Sequence, residues 1–158
     1  MKISICSLIA FTILLPISIA EAEEKIDQAK LEKQFAEKLS GSKLEGYWTL
    51  WNKETMPKKD SYVIDKVTKL KGDDWRFDVR IRFLNVDVKV PITVQVKWAG
   101  DTPVITVDKV NIPAIGVYST RLVIQGDHYA ATWDGGDHGG YMFGKIVKLK
   151  KEKAKKKQ

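Results

Sequence analysis

Between Trp75 and Trp98 the chain alternates apolar and polar residues, and midway it changes step. First the odd positions Trp75, Phe77, Val79, Ile81 and Phe83 are apolar, with Arg76, Asp78, Arg80 and Arg82 between them. After Leu84-Asn85 the even positions Val86, Val88, Val90, Ile92, Val94, Val96 and Trp98 take over the apolar role. A period of two marks a strand that buries one face. The change of parity is what a hairpin requires if both strands are to keep their apolar sides on one surface. A two-residue turn at Leu84-Asn85 predicts the pairs Phe83–Val86, Ile81–Val88, Val79–Val90 and Phe77–Ile92. A slip of one residue would turn the whole set outward.

Pro91 lies inside this hairpin and has no N–H to give. Counting from the turn puts it opposite Asp78 in a non-hydrogen-bonded pair, so the missing donor faces the other neighbour. That neighbour is predicted to be Thr102 to Asp108, reached through Ala99-Gly100-Asp101. Residues 92–98 are enough to pair with it, which leaves Pro91 just outside that ladder.

The remaining chain continues the pattern. Glu23 to Leu39 reads as a helix, with Leu31, Phe35 and Leu39 every fourth residue and Ser40-Gly41 as its stop; this helical unit occupies 23–40. Lys43 to Asn52 is a first strand, Asn52 to Asp60 a polar loop with Pro57, and Ser61 to Lys71 a second strand of imperfect alternation. Asn111 to Gly116 reads as a loop, Val117 to Gln125 and His128 to Asp134 as strands, Gly135 to Gly140 as a glycine-rich loop, and Tyr141 to Leu149 as the last strand. The fold class that follows is all-β. It is an eight-stranded antiparallel up-and-down barrel over 43–149, lipocalin-like, behind one N-terminal helix. A two-sheet β-sandwich is the alternative, since no residue shows whether the first and last strands meet.

The first twenty residues do not belong to that domain. Lys2, the apolar run Ile3 to Ile19 and the small-x-small site Ser18-Ile19-Ala20 read as a secretory signal peptide; Ala20-Glu21-Ala22 fits the cleavage site nearly as well. Ile5 before Cys6 excludes a lipoprotein reading. With the signal removed no cysteine is left, so an exported, periplasmic or extracellular chain must hold together by its core alone. No integral membrane span is expected.

Charge is concentrated at one end. Of the net +7, Lys2 supplies one, and the segment 148–158, with seven lysines against Glu152, supplies six. The body between is close to neutral. Residues 150–158 read as a disordered lysine-rich tail that could engage an anionic surface. No aromatic is interleaved with the lysines, so specific nucleic-acid recognition is not expected.

Gly46-Tyr47-Trp48, opening the first strand after a short helix, resembles the Gly-x-Trp start of lipocalin-type barrels. Further on, Trp98 to Thr106 (WAGDTPVIT), Asn111-Ile112-Pro113, Tyr129 to Trp133 (YAATW) and Gly139 to Ile146 (GGYMFGKI) resemble a family of uncharacterised secreted bacterial proteins. The likeness runs from about Leu39 to Val147. It implies an exported single-domain protein and carries no activity, so no residue inherits a role from it.

Chemistry is sparse. Asp127, His128, Asp134, Asp137 and His138 fall within twelve residues, but a strand of about seven residues separates the two histidines by roughly 20 Å. They cannot share a metal, and no metal or other cofactor is expected. No Gly-x-Ser-x-Gly elbow, paired carboxylate or phosphate loop is present, and the chain reads as no enzyme, with no catalytic residue. The aromatics carry more information. Most are expected in the core, and the sharper reading is a lumen for a small apolar ligand. Trp48, Trp133, Tyr129, Arg121 and Phe143 are the candidate ligand-binding residues, with Thr120 beside Arg121 as a polar partner. The loops Asn52–Asp60 and Asn111–Gly116 are expected to close it. The alternative is an envelope interaction or structural protein with a filled core.

Overall fold

A computed structural model describes residues 27–83, 86–113 and 115–150. The expected signal peptide, the first residues of the expected helix, the expected turn Leu84-Asn85 and the expected tail beyond 150 lie outside them. One helix, α1 (Gln28–Leu39), precedes eight strands: β1 (Ser42–Leu50), β2 (Lys58–Lys69), β3 (Asp74–Phe83), β4 (Val86–Ala99), β5 (Thr102–Ile112), β6 (Gly116–Gln125), β7 (His128–Asp134) and β8 (Gly139–Lys148). Each strand pairs antiparallel with the next. β1 pairs with β8 from Ser42 opposite Lys148 to Leu50 opposite Gly140, which closes the barrel and rules out the sandwich. The β4–β5 ladder is the shortest, from Gln95–Thr106 to Ala99–Thr102, and leaves the first part of β4 paired only with β3.

The central hairpin forms in the expected register, with Phe83 opposite Val86, Ile81 opposite Val88, Val79 opposite Val90 and Phe77 opposite Ile92. Pro91 faces Asp78, and the β4–β5 register runs from Gln95–Thr106 to Ala99–Thr102, so the proline stands outside it.

Two departures have one cause. The imperfect alternation of β2 comes from a register shift between Ile64 and Lys66. Asp60, Tyr62 and Ile64 face inward before the shift, and Val67 after it, so the parity of the buried positions changes mid-strand. β5 shifts likewise between Val107 and Val110, with Lys109 at φ 49°. The strand therefore continues to Ile112, past the end expected at Asp108. A third departure concerns the last loop. Gly139 and Gly140 belong to β8, because a side chain on Gly140 would strike the carbonyl of Thr49 across the β1–β8 ladder.

α1 closes one end of the barrel. Asp27 caps it by accepting a hydrogen bond from the backbone N–H of Lys30 at 3.1 Å. Its buried residues are Phe35 and Leu39, and the Phe35 ring packs edge-on against Trp75 at 5.2 Å and Trp98 at 5.8 Å. At its C-terminus the ammonium of Lys148 donates to the carbonyls of Glu37, Lys38 and Ser40. A cation placed there satisfies carbonyls that the helix leaves open. Lys148 therefore belongs to the folded domain rather than to the charged tail. Lys38 meets Asp127 in the β6–β7 turn at 3.0 Å.

The inner surface is apolar and the outer surface of β3 and β4 is charged. Arg80 grips Asp87 with two 2.6 Å bonds, and Lys97 pairs with Asp73. Among the described residues no helix is long and apolar enough to cross a membrane.

A candidate ligand-binding lumen

Away from α1 the barrel is not filled. A cavity of about 470 Å³ lies inside it, within the size range of sites that hold small molecules. Its walls come from every strand, because the inward parity of each delivers one or more side chains: Leu44 and Trp48 from β1, Tyr62 and Ile64 from β2, Val79 and Ile81 from β3, and Ile92 and Val94 from β4. The other half is Ile105 and Val107 from β5, Tyr118, Thr120 and Leu122 from β6, Tyr129 and Trp133 from β7, and Met142 from β8. Lys53, Ile115 and His138 line it from the loops at the end opposite the helix.

Three of the five expected binding residues are brought together here. Trp48 and Trp133 stand edge to face at 5.9 Å, and Tyr129 lies further along β7 on the same inward face. Arg121 and Phe143 are placed elsewhere, which corrects their assignment to the lumen. The inward residues of β6 are Tyr118, Thr120, Leu122 and Ile124, so Arg121 points outward, where it holds Asp108 at 2.6 Å and the Val107 carbonyl at 3.0 Å. On β8 the inward residues are Met142 and Ile146, and Phe143 stacks outside on Tyr47 at 6.1 Å. Thr120, the suggested partner of Arg121, does line the cavity. The expected closing loops contribute Lys53 from one, and Ile112 and Ile115 from the other.

The polar groups inside are few. Asp60 accepts a hydrogen bond from the Tyr62 hydroxyl at 3.0 Å, and that hydroxyl also lies 3.4 Å from the sulfur of Met142. Tyr129 reaches the same place from the far side of the barrel. It is paired with Gly144, Gly144 with Gly46, and Gly46 with Asp60. Neither glycine has a side chain to obstruct it, so the tyrosine ring crosses two strands. Its hydroxyl ends over Gly46, at 2.5 Å from where a β-carbon there would be. The Tyr129 hydroxyl and Oδ1 of Asp60 are both buried without a hydrogen-bond partner. Burial pushes the Asp60 carboxyl above the usual carboxylate range, partly offset by the Tyr62 hydrogen bond. Burial, and then the nearby Asp60 charge, raise both tyrosines.

At the loop end His138 stands against Trp133 at 5.4 Å and Tyr118 at 6.0 Å, with its Nδ1 2.5 Å from Asp137. That hydrogen bond holds the Asp137 carboxyl below its usual range. Asp127 lies instead at the helix end, with Lys38. Among the described residues no three metal-binding side chains converge.

The sequence reading missed Asp60, Tyr62, Tyr118 and Met142. The signal for the first two was present: Asp60, Tyr62 and Ile64 share one parity, but Asp60 was assigned to a loop and the shift after Ile64 hid the pattern.

Comparison with protein-family models, with curated proteins and with solved structures gives no match. The likeness to secreted bacterial proteins thus rests on the residue blocks quoted above alone, and the structure shows the eight-stranded barrel.

Proposed function

We propose that this protein is an exported, non-catalytic carrier or sensor that holds a small, largely apolar molecule in the lumen of its barrel. The observation that carries this reading is the 470 Å³ cavity, walled almost entirely by aliphatic and aromatic side chains behind the helix plug. A filled core would have placed large side chains there. Instead the rings of Trp48, Tyr118, Tyr129 and Trp133 stand at the wall around it. An apolar interior under a charged exterior is the reverse of a membrane-spanning barrel, whose outer band faces lipid. Export rests on residues 1–20 of the sequence, and a bacterial source on the residue blocks that resemble secreted bacterial proteins.

Native mass spectrometry of the chain purified from its own host tests the reading. A bound species of constant added mass, released by organic solvent, is the expected result. A bare chain that also fails to take up N-phenyl-1-naphthylamine would overturn it.

A second reading is supported by the outer face of β1 and β8. Tyr47 on β1 and Tyr141 and Phe143 on β8 are exposed there, with Phe143 stacked on Tyr47. An exposed aromatic strip, together with a lysine-rich sequence after it, suits contact with an anionic envelope surface. Salt-sensitive retention on phosphatidylglycerol vesicles, lost on removing residues 150–158, tests it; equal retention of the truncated chain would contradict it.

A further inference from the structure

The lumen is mostly apolar, with Thr120 and the Trp133 indole N–H on its wall and Lys53 and His138 at its loop end, and one further polar group has an unusual inventory. Asp60 contributes a partly buried carboxylate whose Oδ1 is closed off from solvent, and among the described residues no Lys, Arg or His forms an ion pair with it. Tyr62, on the same strand, donates to Oδ2 at 3.0 Å and leaves Oδ1 without a partner. Tyr129, arriving over Gly46, leaves a hydroxyl without a partner beside it. Both tyrosines line the cavity. A carboxylate shut away from water costs free energy unless something neutralises it and fills its remaining lone pairs. Here one neutral hydrogen bond does part of that and no cation does the rest.

We propose that the ligand is an apolar molecule bearing one protonated amine, and that its ammonium group sits against Asp60 between the hydroxyls of Tyr62 and Tyr129. This deepens the lumen-binding reading and rests on it. An ammonium group supplies only donors, which is what an unpaired carboxylate oxygen lacks. It also supplies the missing charge, which an alcohol would not. The Tyr129 hydroxyl can accept a second N–H. A ligand carboxylate would face Asp60 as a like charge. Lys53 and Lys58 stand at the loop end and would favour such an anion from there, so the two head groups give opposite expectations.

Isothermal titration of the full chain with decylamine, decanol and decanoate at pH 7 separates the cases. Charge-assisted hydrogen bonds discriminate by roughly tenfold or more, so decylamine is expected to bind at least tenfold more tightly than decanol, and decanoate more weakly than both. Asp60→Asn, checked for its fold by circular dichroism, is expected to bring decylamine down to decanol. Tyr129→Phe is expected to reduce the preference in part. Equal affinity for all three probes, or tightest binding of decanoate, would overturn the amine assignment and leave the lumen reading standing. Uptake of none of them would remove both.

Discussion

The hydroxyl of Tyr129 ends 2.5 Å from the point where Gly46 would carry a β-carbon. A tyrosine on β7 thus reaches over β8 to the β1–β2 side of the lumen because two facing strands put glycines in its path. The arrangement fixes the polar corner of the cavity, and it makes Gly46 a position with no tolerance for growth.

Gly46→Ala is expected to destabilise the barrel by about 1–3 kcal/mol, the usual cost of overpacking a filled site. The added methyl would meet the Tyr129 hydroxyl and also the backbone carbonyl of Phe143. Removing the hydroxyl with Tyr129→Phe should therefore recover only part of the loss. Urea unfolding of the two single variants and the double variant measures this, and full recovery in the double would show that the carbonyl contact does not matter.

The helix is expected to act as a plug rather than an appendage. Phe35 is buried and touches Trp75, Phe77 and Trp98. Phe35→Ala should cost about 3–5 kcal/mol, the range for removing a buried aromatic ring. The unfolding midpoint followed by tryptophan fluorescence reads it directly. A loss under about 1 kcal/mol, the range of a surface change, would mean that α1 does not close the barrel.

Much of this was legible before any coordinates. The parity switch at Leu84-Asn85 set the β3–β4 register, and each following strand could be placed by counting to the next turn. What could not be read was hidden by two local insertions. The shifts after Ile64 and Val107 each change which parity is inside, so alternation is imperfect in β2, and β5 runs past the Asp108 at which the count from the turn ends it. The site suffered for the same reason. Asp60 and Tyr62 share their inward parity with Ile64, yet Asp60 fell within what read as a loop. Arg121 and Phe143 were singled out for their chemistry, while β6 and β8 carry apolar residues on both faces, so parity there did not show which way they point.

Arg121 tests that last correction. Its guanidinium and the carboxylate of Asp108 are both about half exposed or more, and pairs of that kind contribute about 0–1 kcal/mol. Arg121→Ala is expected to shift the melting temperature by a few degrees at most and to leave decylamine affinity unchanged. A large drop in affinity would place Arg121 at the ligand after all.

Asp60 should make stability depend on pH in the sense opposite to that of a salt-bridged acid. Its carboxyl titrates higher in the folded protein than in the unfolded chain. The folded state therefore holds the proton more tightly. The desolvation cost is absent below the unfolded value and is felt in full only once pH has risen past the folded one. The groups facing it are Tyr62 and Tyr129, both neutral across that window because burial raises them. Asp60→Asn is thus expected to stabilise the ligand-free protein at pH 7, with the gain shrinking toward pH 3. Thermal melts of both proteins across pH 3–7 check it, and a variant less stable at pH 7 than at pH 3, relative to the parent, would contradict it.

The central claim is that the space between the barrel walls takes a guest molecule. Titrating the full chain with N-phenyl-1-naphthylamine, excited directly, alongside a Leu122→Trp variant whose added ring projects into the cavity, tests it most simply. Saturable one-to-one enhancement in the parent, lost in a variant that keeps its β-sheet circular dichroism, is the expected result. Equal enhancement in both proteins, or none in the parent, would contradict it.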